Sequence, residues 1–158
     1  MKRSIYVFIF LLTFCFSTSA FASDPYESTQ RVWICPEFTF HTGETIKNLK
    51  LGYVELGNPE GETVILLHGT GGSGAGIANS PVFGGALFGQ GQALDASKYH
   101  IILIDAIGTG ESSKPSDGLK ASFPRYNYDD MITAQYRLLT EGLQIHHVRA
   151  IIGFSMGG

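Results

Sequence analysis

Apolar positions along the chain fall into three patterns, and each predicts a different kind of element. Residues 5–16 are an almost unbroken apolar run behind Lys2 and Arg3, and the run is followed by Ala20-Phe21-Ala22. A charged start, a core too short to span a bilayer and a small-x-small ending are the features of an export signal. Residues 1–22 are therefore read as a signal peptide, and the mature chain is expected to begin at Ser23. Residues 32–40 and 49–56 show partial alternation of β-branched and aromatic residues on either side of His41-Thr42-Gly43-Glu44, which predicts an antiparallel hairpin at a sheet edge. Residues 63–67, 101–104 and 148–152 are short and continuously apolar, as strands buried on both faces of a parallel sheet must be.

Helical periodicity is strongest over residues 128–143. Asn127 can cap the start, Asp129 and Asp130 stand in the positively polarised first turn, Met131, Ala134 and Leu138 share a face, and Gly142 helps to end the element. Residues 81–96 are glycine-rich and predict a loop followed by a short helix ending near Asp95. Residues 23–30 read as an irregular lead. The fold class is therefore α/β within one domain over residues 23–158, an antiparallel edge hairpin leading into a parallel sheet with crossover helices. In such sheets function gathers at the carboxyl ends of the strands.

Charge and cysteine content narrow the function classes. Without Lys2 and Arg3 the mature chain keeps nine basic against fourteen acidic side chains, about −5 in all, with no cluster of Lys and Arg. That balance excludes a phosphate-tracking surface, so no nucleic-acid partner is expected. No stretch of the mature chain predicts a stable membrane span. Cys35 is the one cysteine after the leader, which suits a small buried hydrophobe or a bridge to a cysteine outside this sequence. His146 and His147 are adjacent, so their rings diverge in an extended segment and predict surface residues rather than a metal site. No cofactor is expected.

Three motifs carry chemistry, each directly after an apolar strand. Gly153-Phe154-Ser155-Met156-Gly157 is G-x-S-x-G, whose glycines remove Cβ atoms where strand and following helix nearly touch, leaving the serine hydroxyl exposed as a nucleophile. His68-Gly69-Thr70-Gly71-Gly72 supplies a loop for stabilising a developing oxyanion. Thr70 N–H is the first candidate donor and Met156 N–H the second, with His68 bracing the loop. Asp105 opens a sharp turn through Ser112 and is read as holding that turn by accepting backbone hydrogen bonds. Residues 112–125 are polar and long for a connection, a rim to the site in which Arg125 is a solvated surface residue. Gly69, Gly71 and Gly74 also satisfy a dinucleotide fingerprint. Asp105 lies 31 residues beyond Gly74, however, where about 20 is expected, and no Gly-Lys-Ser/Thr follows for a phosphate loop.

With these motifs in place, the chain from about residue 51 onward resembles the α/β-hydrolase superfamily, and within it the group that includes homoserine O-acetyltransferases. The closer resemblance rests on Gly89-Gln90-Gly91-Gln92-Ala93-Leu94-Asp95 with Lys98-Tyr99, on Asp130-Met131-Ile132-Thr133-Ala134-Gln135, and on the Ser155-Met156-Gly157-Gly158 ending. It implies that residues 23–158 are the N-terminal part of an α/β-hydrolase fold. It also implies that Ser155 is the acyl-accepting nucleophile, completed by an aspartate and a histidine later in chain order. Neither residue type follows Ser155, so residues 23–158 alone are expected to be inactive, with the base and most pocket walls supplied by later sequence.

The turn at Asp105 resembles that of ordinary hydrolases and the His68 loop that of esterases, and an exported enzyme meets water as its abundant acceptor. The expected function is therefore hydrolysis of a small-molecule acyl substrate by a periplasmic or secreted protein. The alternatives are an O-acyltransferase of the homoserine O-acetyltransferase type and a non-catalytic binding protein on the same scaffold.

Overall fold

The computed structural model describes residues 26–158, so the expected leader and its cleavage site lie outside the described residues. Two long strands, β1 (Ser28–Thr39) and β2 (Thr45–Gly57), form the predicted hairpin, paired antiparallel from Ser28 opposite Leu56 to Thr39 opposite Thr45. The turn between them contains Gly43 at φ 83°, a left-handed conformation that glycine adopts without steric cost. Strand β1 starts inside the expected irregular lead, because pairing with β2 satisfies its backbone from Ser28 onward.

Strands β3 (Glu62–Leu67), β4 (Tyr99–Ile104) and β5 (Ala150–Gly153) are parallel, and the sheet order is β1-β2-β4-β3-β5. The hairpin thus joins the parallel strands through an antiparallel β2–β4 pairing. Continuous apolar sequence serves the two sides of the sheet alternately. Ile65, Ile102 and Ile104 face a core with Phe38, Leu51, Ala134 and Leu138, whereas Val64, Leu66, Ile101 and Leu103 face one with Ile77, Phe88 and Leu94. Each of Ile101 to Ile104 is at most 1 % exposed, and such burial stabilises by about 1.5–3 kcal/mol per large aliphatic side chain.

Strand β5 departs from the expectation of burial on both faces. Among the described residues it starts at Ala150 rather than 148, lies at an edge of the sheet and leaves Ile151 63 % exposed. Burial of an apolar run is set by what lies across it, which its own sequence does not contain.

Among the described residues three α-helices pack on the sheet: α1 (Gly74–Ala78), α2 (Gly84–Leu87) and α3 (Tyr128–Arg137). Helix α3 has the predicted Asn127 cap. The Asn127 side chain accepts from Asp130 N–H, the Asp130 carboxylate accepts from Asn127 N–H, and Ala134 and Leu138 are fully buried. Its last turn is a π turn over Leu138–Gly142, closed by Leu143 N–H donating to Leu138 C=O. Gly142 does not end the helix through its conformation. The left-handed residue is Gln144 at φ 56°, and Gly142 lies flat on Trp33, where a Cβ would come within 2.8 Å of the ring.

The predicted helix ending near Asp95 is absent. The Asp95 carboxylate accepts from Gly91 N–H, Ser97 N–H and Ser97 Oγ–H, while Gln92 accepts from Gly89 N–H and donates to Gly85 C=O. These side chains satisfy a looped backbone, which competes directly with helix formation. The short helix of this segment forms earlier, at α2, and α1 precedes the segment.

Candidate active site

Ser155 stands where β5 gives way to a single 3₁₀ turn over Ser155–Gly157, and its φ is 53°. A serine at positive φ is backbone strain that the surroundings must enforce. The surroundings are the two glycines: a Cβ on Gly153 would lie 2.0 Å from Gly157 C=O oxygen, and one on Gly157 would lie 2.7 Å from the Leu67 carbonyl oxygen. Phe154 N–H donates to Leu67 C=O and Gly157 N–H to Phe154 C=O, locking the turn to the end of β3. The Ser155 side is left open to solvent.

The His68 loop meets this turn. A Cβ on Gly69 would be 3.3 Å from Ser155 Cβ and 3.9 Å from its Oγ, so the loop backbone runs directly beside the hydroxyl. Thr70 follows on the exposed side of that loop, and Met156 follows Ser155 within the 3₁₀ turn. Among the described residues neither the Thr70 nor the Met156 N–H donates a hydrogen bond, the condition an oxyanion donor has to meet.

His68 is 3 % exposed, and both ring nitrogens are engaged. Ala106 N–H donates to Nε2 at 3.1 Å, which assigns the proton to Nδ1, and Nδ1–H donates to Gly69 C=O at 2.7 Å. Thr109 Oγ1 also lies 3.0 Å from Nε2. The ring therefore ties the β3 loop to the β4 turn, as the bracing expectation required.

Asp105 is 2 % exposed and spends its carboxylate on the backbone: Oδ1 accepts from Gly74 N–H at 2.6 Å and Oδ2 from Glu111 N–H at 2.8 Å. Gly110 closes over it at φ 51°, a position where a Cβ would collide with the carboxylate. The Ser112 hydroxyl donates to Asp105 C=O and accepts from Gly52 N–H, fastening the turn to β2. An inward carboxylate already bound to the start of α1 leaves nothing for a ribose, so the dinucleotide geometry is not assembled.

Arg125, His146 and His147 are exposed, and among the described residues no group of histidine, cysteine and carboxylate side chains could hold a metal ion. Cys35 is fully buried. Burial pushes its thiol pKa up, against the nearby Arg137, and Sγ lies 3.3 Å from the Glu37 carbonyl oxygen that accepts from it. No helix among the described residues is long and apolar enough to cross a membrane.

Most pocket walls are expected after Ser155, and the part that comes before it is visible here. A cavity of ≈ 300 Å³ opens beside the loop, lined by Gly69, Thr70, Ile77, Ser80, Phe83 and Phe154 among others. The rings of Phe83 and Phe154 meet edge to face with centroids 4.7 Å apart. Phe154 was legible as the variable residue before the serine, whereas Phe83 lies 72 positions from Ser155 in a loop whose path only the fold reveals.

A glycine-hemmed serine turn at the carboxyl end of β5, beside a loop with free N–H groups, is the strand-to-helix turn of a G-x-S-x-G motif on an α/β sheet. The chain belongs to the α/β-hydrolase family: the family described as alpha/beta hydrolase fold matches residues 62–158. It is similar to a homoserine O-acetyltransferase of Natronomonas pharaonis, 32 % identical over 149 residues, covering 83 % of this chain and 37 % of that protein. It is also similar to a serine O-succinyltransferase of Emericella nidulans, 38 % identical over 115 residues, covering 64 % of this chain and 22 % of that protein. A solved acetylester hydrolase from Corynebacterium glutamicum superposes with a TM-score of 0.65 at 28 % identity, over 84 % of this chain and 38 % of that one. The chain thus spans well under half the length of these relatives. Within the family it resembles the homoserine O-acetyltransferase group.

Proposed function

We propose that the protein is a serine-nucleophile hydrolase, esterase-like and exported, that acts on a small acyl compound through an acyl-enzyme at Ser155. The observation that carries this reading is the strained, solvent-open Ser155 at φ 53°, held between Gly153 and Gly157 with Gly69 alongside. Ser155 Oγ attacks the acyl carbonyl carbon, its proton passes to a general base, and the bond to the leaving alcohol breaks as the alcohol takes that proton. Water then attacks the acyl-serine, releases the carboxylic acid and restores the hydroxyl. Thr70 N–H and Met156 N–H stabilise the oxyanion of both tetrahedral intermediates. His68 is committed to bracing, so the base is assigned outside the described residues.

The test is labelling of the full-length protein by a serine-directed fluorophosphonate. Labelling is expected in the wild type and absent in Ser155→Ala; labelling that persists in Ser155→Ala removes Ser155 from the mechanism. Export rests on the leader pattern of residues 1–22, and N-terminal sequencing of the mature protein is expected to begin at Ser23.

A second reading, O-acyl transfer, is favoured by the curated relatives, which are named as acetyl- and succinyltransferases. It predicts acyl-donor consumption that depends on an alcohol acceptor. Hydrolysis predicts turnover in water alone.

A further inference from the structure

The cavity beside the His68 loop adjoins the proposed nucleophile, since Gly69 and Phe154, which both line it, lie next to Ser155. Its apolar walls are Ile77 from α1 and the edge-to-face pair Phe83–Phe154. No lysine, arginine, aspartate or glutamate lines it among the described residues. The polar side chains of His68, Ser73 and Ser80 in its lining are engaged. Both His68 nitrogens are bonded, Ser73 Oγ accepts from Gly76 N–H, and Ser80 Oγ accepts from Val82 and Phe83 N–H. At ≈ 300 Å³ the space stands at the lower end of the roughly 300–1,000 Å³ usual for small-molecule pockets.

We propose that this cleft is the acyl subsite and that it selects an uncharged aliphatic acyl group over one of the same length ending in a carboxylate. The proposal rests on the acyl-enzyme reading above. A carboxylate carried into the cleft gives up its hydration and finds no cation there, a cost that an alkyl chain of the same length does not incur. Phe83 is the wall residue best placed to set this preference, because it is 36 % exposed and can be exchanged without opening the core.

The experiment compares labelling rates of the full-length protein by three fluorophosphonates, carrying an ethyl chain, a hexyl chain, and a chain of hexyl length ending in a carboxylate. The hexyl probe is expected to label Ser155 at least about tenfold faster than the carboxylate probe, as burial of one unpaired charge requires. Phe83→Lys is expected to narrow that gap by speeding the carboxylate probe, and Phe83→Ala to reduce the advantage of hexyl over ethyl. Thermal unfolding by circular dichroism verifies that both variants are folded. Equal rates for hexyl and carboxylate probes, or an unchanged gap in folded Phe83→Lys, overturn the subsite while Ser155 labelling stands. Absence of labelling by all three probes overturns the nucleophile reading, and the subsite with it.

Discussion

Ser155 combines exposure with a backbone conformation that costs an L-residue about 1–2 kcal/mol. Glycine would relieve that strain but would lose some of the gain to its greater freedom in the unfolded chain. Ser155→Gly is therefore expected to raise stability by roughly 1 kcal/mol in chemical denaturation while abolishing fluorophosphonate labelling. Equal or lower stability would show that the turn is unstrained. The serine pattern was legible in sequence because its glycines are local in the chain. Why Gly157 must be glycine was not, since the atoms its Cβ would strike belong to Leu67 and His68, in another strand and loop.

The loop between α2 and β4 shows polar side chains replacing a helix. Asp95 is buried, and the hydrogen bond from Ser97 Oγ, followed by that from Gly91 N–H, holds its carboxyl pKa down to about 2. A folded-state pKa below the unfolded value of about 3.9 means that the carboxylate's contribution is complete above that value. It is lost as pH falls toward 2. Asp95→Asn should be less stable than wild type at neutral pH and should show a flatter decline in Tm between pH 4 and pH 2, measured by calorimetry. A parallel decline in both proteins would remove Asp95 from the acid transition. The capped start of α3, by contrast, was readable because an Asn–x–x–Asp box closes within four residues. Its link to the hairpin was not readable: His41 donates its backbone N–H to Asp130 at 2.8 Å, and its Nδ1 lies 2.6 Å from the same carboxylate, across 89 positions.

Across residues 26–158 the two sheet faces are unevenly covered. On the α3 side, Ile151, Ile132 and Tyr136 are each more than 60 % exposed around an apolar groove floored by Ile65 and Leu67. Contiguous apolar surface at a terminal strand promotes association. A polypeptide of residues 26–158 is expected to bind a hydrophobic dye and to self-associate, and Ile151→Lys to reduce both, read by dye fluorescence and light scattering. Undiminished dye binding in Ile151→Lys would place the sticky surface elsewhere.

Strand identity, the hairpin, the capped helix and the serine and His-Gly motifs followed from the sequence alone, because each depends on residues within a few positions of one another. Sheet order, the exposure of β5, the looped path through Asp95 and the walls at Ile77 and Phe83 were decided by tertiary structure. They depend on which distant backbone and side-chain atoms come into contact, and hydrophobic periodicity carries no record of those partners.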